Sequence, residues 1–112
     1  MIRKINDFPS FGMEDSITLI MNTRFMDIGR FMDYTANKFR YKDKYRLDYS
    51  GIRDLFVKAI RATGRKNITV IFPDVPLDNE VQWHFLQEIF DEVSDELKKS
   101  GIAFSVELIE DD

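Results

Sequence analysis

Cysteine is absent from the 112 residues, which excludes disulfides, thiolate nucleophiles, Cys-ligated zinc and iron–sulfur clusters together. Histidine occurs once, at position 84, so no site can be built on several imidazoles. No phosphate-binding glycine loop, dinucleotide fingerprint, zincin helix or nucleophile elbow is present. No apolar run approaches the roughly 18 residues that a membrane span needs, and the opening "MIRKINDFPSFGMEDS" has no apolar core of signal-peptide length. There is no internal repeat and no low-complexity segment. These absences lead to the expectation of a soluble, cytoplasmic, non-enzymatic protein with no catalytic residues, no cofactor and no membrane partner.

Apolar residues make up 44% of the chain, including ten Phe and five Met, enough for a single core. One globular domain over 1–112 is expected, with an irregular N-terminal arm at 1–15 and an acidic tail at 110–112. In that arm Ile2, Ile5, Phe8 and Phe11 would pack loosely on the core, although it has room for one short strand. The net charge of −4 conceals a gradient: residues 1–66 carry 14 Lys and Arg against 8 Asp and Glu, and residues 67–112 carry 2 against 12.

"SITLIMN" (16–22) alternates Ile17, Leu19 and Met21 and reads as a mostly buried strand. From there the spacing of Phe25, Ile28, Met32, Ala36 and Phe39 turns helical, and Asn22 or Thr23 suits an N-cap, so a helix is predicted over about 23–40. "KYRLDY" (44–49) alternates Tyr45, Leu47 and Tyr49 with charged residues and is expected as the next strand. Ser50 would cap a second helix ending at Gly64. "NITVIFP" (67–73), β-branched and apolar, reads as the central strand. Asp78 would cap a third helix to about Ser100, and "IAFSVELI" (102–109) would be the last strand. The predicted fold is thus α/β: a four-stranded, mostly parallel sheet with three helices in the order β-α-β-α-β-α-β, joined by right-handed crossovers. A ferredoxin-like α+β sandwich is the alternative.

In such a sheet each helix ends on the rim where the next strand begins, which would gather Lys42, Lys44, Arg65, Lys66, Lys98 and Lys99. With Tyr41 and Tyr45 beside them, these cations form a candidate site for RNA or single-stranded DNA, the aromatic rings stacking on unpaired bases. The plainer reading is that cations at helix C-termini complement the macrodipole, and that the tyrosines face the core or its margin. The net negative charge also opposes nucleic acid.

The third helix is strongly amphipathic. Trp83, Phe85, Leu86, Ile89, Phe90, Val93 and Leu97 share one side, and Glu80, His84, Glu88, Asp91 and Asp95 share the other. A row of carboxylates on a rigid helix suits docking to a basic protein surface, and a half-exposed Trp83 would anchor the contact. One imidazole among carboxylates does not make a closed metal site, and no metal is expected. At the carboxyl ends of the strands, Asp74 and Asp78 form a conceivable Mg²⁺ pair, and Arg24 and Arg53 with Ser50 and Gly51 a conceivable anion site; turn and cap chemistry explains both.

The reading that emerges is a small binding module, such as a regulator, inhibitor or immunity-type factor. It would take a basic protein partner on Trp83, His84, Glu88, Asp91 and Asp95. The alternative is nucleic acid on Tyr41, Lys42, Lys44, Tyr45, Arg65 and Lys66. A homodimer paired through strand 102–109 is a further expectation, unless the acid-rich end prevents it.

Overall fold

The computed structural model describes residues 2–6, as backbone, and 15–109. The elements run β1 (Ile2–Asn6), β2 (Ser16–Ile20), α1 (Ile28–Lys38), α2 (Tyr49–Ala62), β3 (Asn67–Phe72), α3 (Glu80–Lys98) and β4 (Ala103–Ile109). The molecule is a small α/β domain with three helices, in the order β-β-α-α-β-α-β. Strands β2, β3 and β4 form a parallel sheet, and β1 lies antiparallel along β4, giving the spatial order β1-β4-β3-β2. Parallel pairing throughout 16–20, 67–72 and 103–108 excludes the ferredoxin-like sandwich. Among the described residues no helix is long and apolar enough to cross a membrane.

Three of the four predicted strands are found. The exception is 44–49, where Tyr49 already opens α2 under an Asp48 N-cap whose side chain accepts from the Gly51 amide at 2.7 Å. Asp48 therefore does the work predicted for Ser50. Arg40, at φ 57, ends α1 in a left-handed turn, and the Tyr41 amide donates back to the Ala36 carbonyl. From there the chain returns to α2 as a loop without a partner strand. The alternation survives only in part: Tyr41, Tyr45 and Tyr49 pack against the core and Lys42, Lys44 and Arg46 are exposed, but Leu47, expected on the inward side, is exposed as well. Gly51 is required beneath this loop, since a Cβ there would run into the Arg46 carbonyl oxygen.

Helix α1 starts five residues later than the predicted 23. Residues before it are held by the loop after β3: the Phe25 amide donates to Val75 O, the Met26 amide to Pro76 O, and the Asp78 amide to Met26 O. This zipper holds Phe25 at φ 48, outside the right-handed helical region. Asp27, not Asn22 or Thr23, caps α1 by accepting from the Arg30 amide, and Thr23 is buried. Likewise Asn79, not Asp78, caps α3 through the Gln82 amide. Both neighbours were plausible caps by composition, and only the backbone path distinguishes them. The arm expected at 1–15 contributes β1, while Phe8, Phe11 and the 110–112 tail lie outside the described residues.

All three helices cover one face of the sheet. Phe72 on β3 lies 6.0 Å from Phe31 of α1, 6.2 Å from Trp83 and 5.9 Å from Phe90 of α3, between ring centroids, and Phe90 also meets Phe56 of α2 and Phe104 of β4. Side chains Ile68, Val70, Phe104, Val106 and Leu108 point into the same layer and are buried. On the opposite face Thr18 and Ile20 are exposed and Thr69, Ile71, Glu107 and Ile109 half-buried. One-sided cover follows from topology, because two crossovers of the same hand that both advance in the direction β2 to β3 to β4 leave their helices on one side.

Candidate functional site

The uniform direction of the crossovers bears on where ligands can sit. Open α/β sheets bind at the carboxyl ends of strands where the strand order reverses, opening a crevice between helices of opposite faces. Here the parallel strands stand side by side in chain order, so no reversal occurs among them. The loops at that end are also joined by the zipper described above. Asp74 is committed within it: one oxygen accepts from the Val75 amide at 2.8 Å and the other lies 3.1 Å from Arg24 Nε. Arg24 is thus in a loop and paired, whereas Arg53, in α2, faces Glu92 and Asp54. Among the described residues no group of three or more His, Asp or Glu side chains is arranged to hold a metal ion.

The face of α3 away from the sheet divides into two strips with different chemistry. On the strip facing α2, Glu92 lies 3.6 Å from Arg53, and Glu96 lies 3.7 Å from both Arg61 and Lys99. Arg61 also donates to Ser100 Oγ at 3.1 Å. Arg53, Arg61, Glu92, Glu96 and Lys99 line a groove of about 460 Å³ between the two helices, with Asp54, Val57, Lys58 and Asp95. Each pair is solvent-exposed and contributes at most about 1 kcal/mol, so their effect is to neutralise the strip.

On the outer strip, His84, Glu88, Asp91 and Asp95 are all exposed, as the helical spacing predicts, with Asp95 shared between this strip and the groove. Glu88, Asp91 and Asp95 make no ion pair among the described residues, and they crowd one another instead. Partial desolvation, reinforced by the charges of Asp95 and then Glu88, holds the Asp91 carboxyl above the ordinary range. The ridge is a concentration of negative charge whose carboxylates form no ion pair among the described residues. Trp83 is not part of it. At 8% exposure it is buried against Phe72, closing the edge of the core, so the half-exposed anchor expected at this position is absent.

The residues of the predicted basic rim separate. Because 44–49 is not a strand, Lys42 and Lys44 lie in the loop between α1 and α2, not where a helix meets a strand. Tyr41, Lys44, Tyr45, Arg46 and Lys58 line a small cleft of about 140 Å³ together with Gly51, Asp54 and Leu55. Arg65 and Lys66 do not line it; they lead into β3, where the Lys66 and Asn67 amides donate to Asp15 O. The Tyr45 hydroxyl is engaged, donating to Asp33 Oδ1 at 2.7 Å. Burial, the hydrogen bond and the Asp33 charge push its pKa up to about 12. Lys58, unremarked in the sequence, joins this cleft only because the loop folds back on α2.

No protein-family model matches the chain, and neither does any curated protein or any solved structure.

Proposed function

We propose that this chain is a non-enzymatic binding module that takes a protein partner with a basic surface on the outer strip of α3. In that role it would act as a small regulator, inhibitor or immunity-type factor in a reducing compartment such as the cytoplasm. One observation carries the reading: Glu88, Asp91 and Asp95 repel one another on a rigid helix while Glu92 and Glu96, one step around it, are neutralised by α2. Lysine or arginine from a partner would relieve that repulsion, and complementary charge accelerates association and selects partners. His84 extends the strip toward the start of the helix. Trp83 has no part in the contact.

The test is affinity capture from lysate with the wild-type chain and with the triple variant Glu88→Lys, Asp91→Lys, Asp95→Lys, circular dichroism verifying that both are folded. A basic protein held by the wild type, released by added salt and lost from the variant is the expected result. Equal capture by both proteins would remove α3 from the interface.

A second reading, RNA or single-stranded DNA, draws support from the cleft that joins two tyrosines to Lys44, Arg46 and Lys58. Against it stand the engaged Tyr45 hydroxyl and the separation of Arg65 and Lys66 from the cleft. Fluorescence anisotropy of labelled strands at low and moderate salt discriminates. Salt-sensitive binding that Lys44→Glu and Lys58→Glu abolish would move the function to the cleft, and no binding at low salt would leave the acidic strip.

A further inference from the structure

Strand 102–109, expected to pair across a two-fold axis, is unable to do so: β4 has β3 on one side and β1 on the other. The parallel sheet instead ends at β2. We infer that β2 is a self-association edge at which two copies of this chain pair antiparallel about a two-fold axis through Thr18. The inference is independent of the docking role of α3.

Backbone direction is the first observation. The Met21 amide donates to Ile71 O at 2.8 Å, so Met21 points its N–H at β3, and by the alternation of the parallel ladder Leu19 and Ile17 turn their N–H and C=O groups the same way. The N–H and C=O groups of Thr18 and Ile20 therefore point away from the sheet, and no described residue pairs with them. An edge of this kind is a template for another strand, and folded proteins usually blunt it with charge, proline or a bulge. Ser16–Ile20 has none of these, in a chain that is 32% charged.

Burial is the second. Ile17 and Leu19 are half-buried, whereas their partners on β3, Ile68 and Val70, are 1% and 0% exposed. The core thins toward this edge because, among the described residues, no strand stands beyond β2. Ile20, on the other face, is 50% exposed.

A second copy is the occupant these features fit, because the strand is complementary to itself. Antiparallel pairing centred on Thr18 brings all of Ser16–Ile20 into register. Thr18 exchanges its N–H and C=O with Thr18 of the copy, a hydrogen-bonded pair. Ile17 meets the copy's Leu19 on the helix side, extending both cores, and Ile20 meets its Ser16 on the other. Ser16–Ile20 itself carries no charge, and the nearest, Asp15, lies at the end of the pairing, where the two copies' Asp15 residues are far apart. Helix α3 packs on β4 and β1, away from this edge, so pairing leaves Glu88, Asp91 and Asp95 of both copies accessible.

The test uses the full chain in analytical ultracentrifugation up to millimolar concentration. The wild type is expected to form a reversible species of twice the 13.3 kDa chain mass. Thr18 is exposed, so a charge there is tolerated by the monomer yet places like charges opposite each other in the dimer. Thr18→Lys and Thr18→Glu should each weaken dimerisation by about tenfold or more, the equivalent of about 1.4 kcal/mol. Mixing the two variants should restore a one-to-one dimer, because residue 18 then faces its opposite charge. A wild type that stays monomeric, a dimer indifferent to both substitutions, or variants that fail to recombine when mixed would each overturn the inference.

Discussion

Phe90 joins α3 to three other elements through ring contacts, and its truncation tests the account of the core. Its ring is 0% exposed and lies 5.3 Å from Phe56, 5.9 Å from Phe72 and 6.2 Å from Phe104, tying α3 to α2, β3 and β4. Phe90→Ala removes the transfer free energy of the ring and leaves a cavity among stiff neighbours, together about 3–5 kcal/mol. Three lost aromatic pairs, each about 0.5–1.5 kcal/mol, place the cost toward the upper end of that span. Against a net stability of about 5–15 kcal/mol for a domain of this kind, the variant should retain its fold with a much lower urea midpoint and an unchanged slope. The buried Trp83, packed on Phe72, provides a fluorescence signal for the transition. Val81→Ala is the control: Val81 lies on the same helix but is 77% exposed, and its loss should stay within about 0.5 kcal/mol. A Phe90→Ala cost below about 1 kcal/mol, or one no larger than that of Val81→Ala, would refute the packing argument.

Two pH-dependent predictions follow from the perturbed groups. Tyr45 has a folded pKa of about 12 against an unfolded value near 10, so the stability it contributes is complete below about pH 10 and is lost as the pH rises toward 12. Tyrosinate absorbance should show a late step that Tyr45→Phe removes and Asp33→Asn moves to lower pH; an unaltered titration in Asp33→Asn would contradict the hydrogen-bond assignment. Asp91 has the opposite consequence: its pKa is raised, so its charged form subtracts stability at pH values above that raised pKa, and the penalty fades as the pH falls through it. Thermal melts at pH 7 and low salt should show Asp91→Asn slightly more stable than wild type, with the difference shrinking as salt is added. A destabilised Asp91→Asn would mean that the ridge is compensated within the fold.

Where periodicity was long and uninterrupted, local pattern and structure agree. The nineteen residues of α3 bury the stripe expected of them, apart from a half-buried Phe85, and expose the predicted acidic strip. Shorter patterns were decided by surroundings. "KYRLDY" has the alternation of a strand, but a strand requires a neighbour, and the Asp48 cap commits Tyr49 to a helix. The helical spacing that begins at Phe25 was real only from Ile28, because the loop after β3 captures the backbone ahead of it. The acidic strip was therefore legible in the sequence. The aromatic-basic cleft was not, since Lys58 reaches Tyr41 and Tyr45 only through the fold of the connecting loop.

Composition and periodicity alone determined that this chain builds an α/β domain with three helices, and that α3 presents carboxylates to solvent, because both depend on which residues repeat every second or every 3.6 positions. Only the tertiary structure decided which of those carboxylates are neutralised, that Trp83 is withdrawn into the core and that β2 is left at the edge of the sheet. Pairing across distances such as Arg53 to Glu92, or β2 to β3, is set by how elements pack, and packing leaves no local signature in the chain.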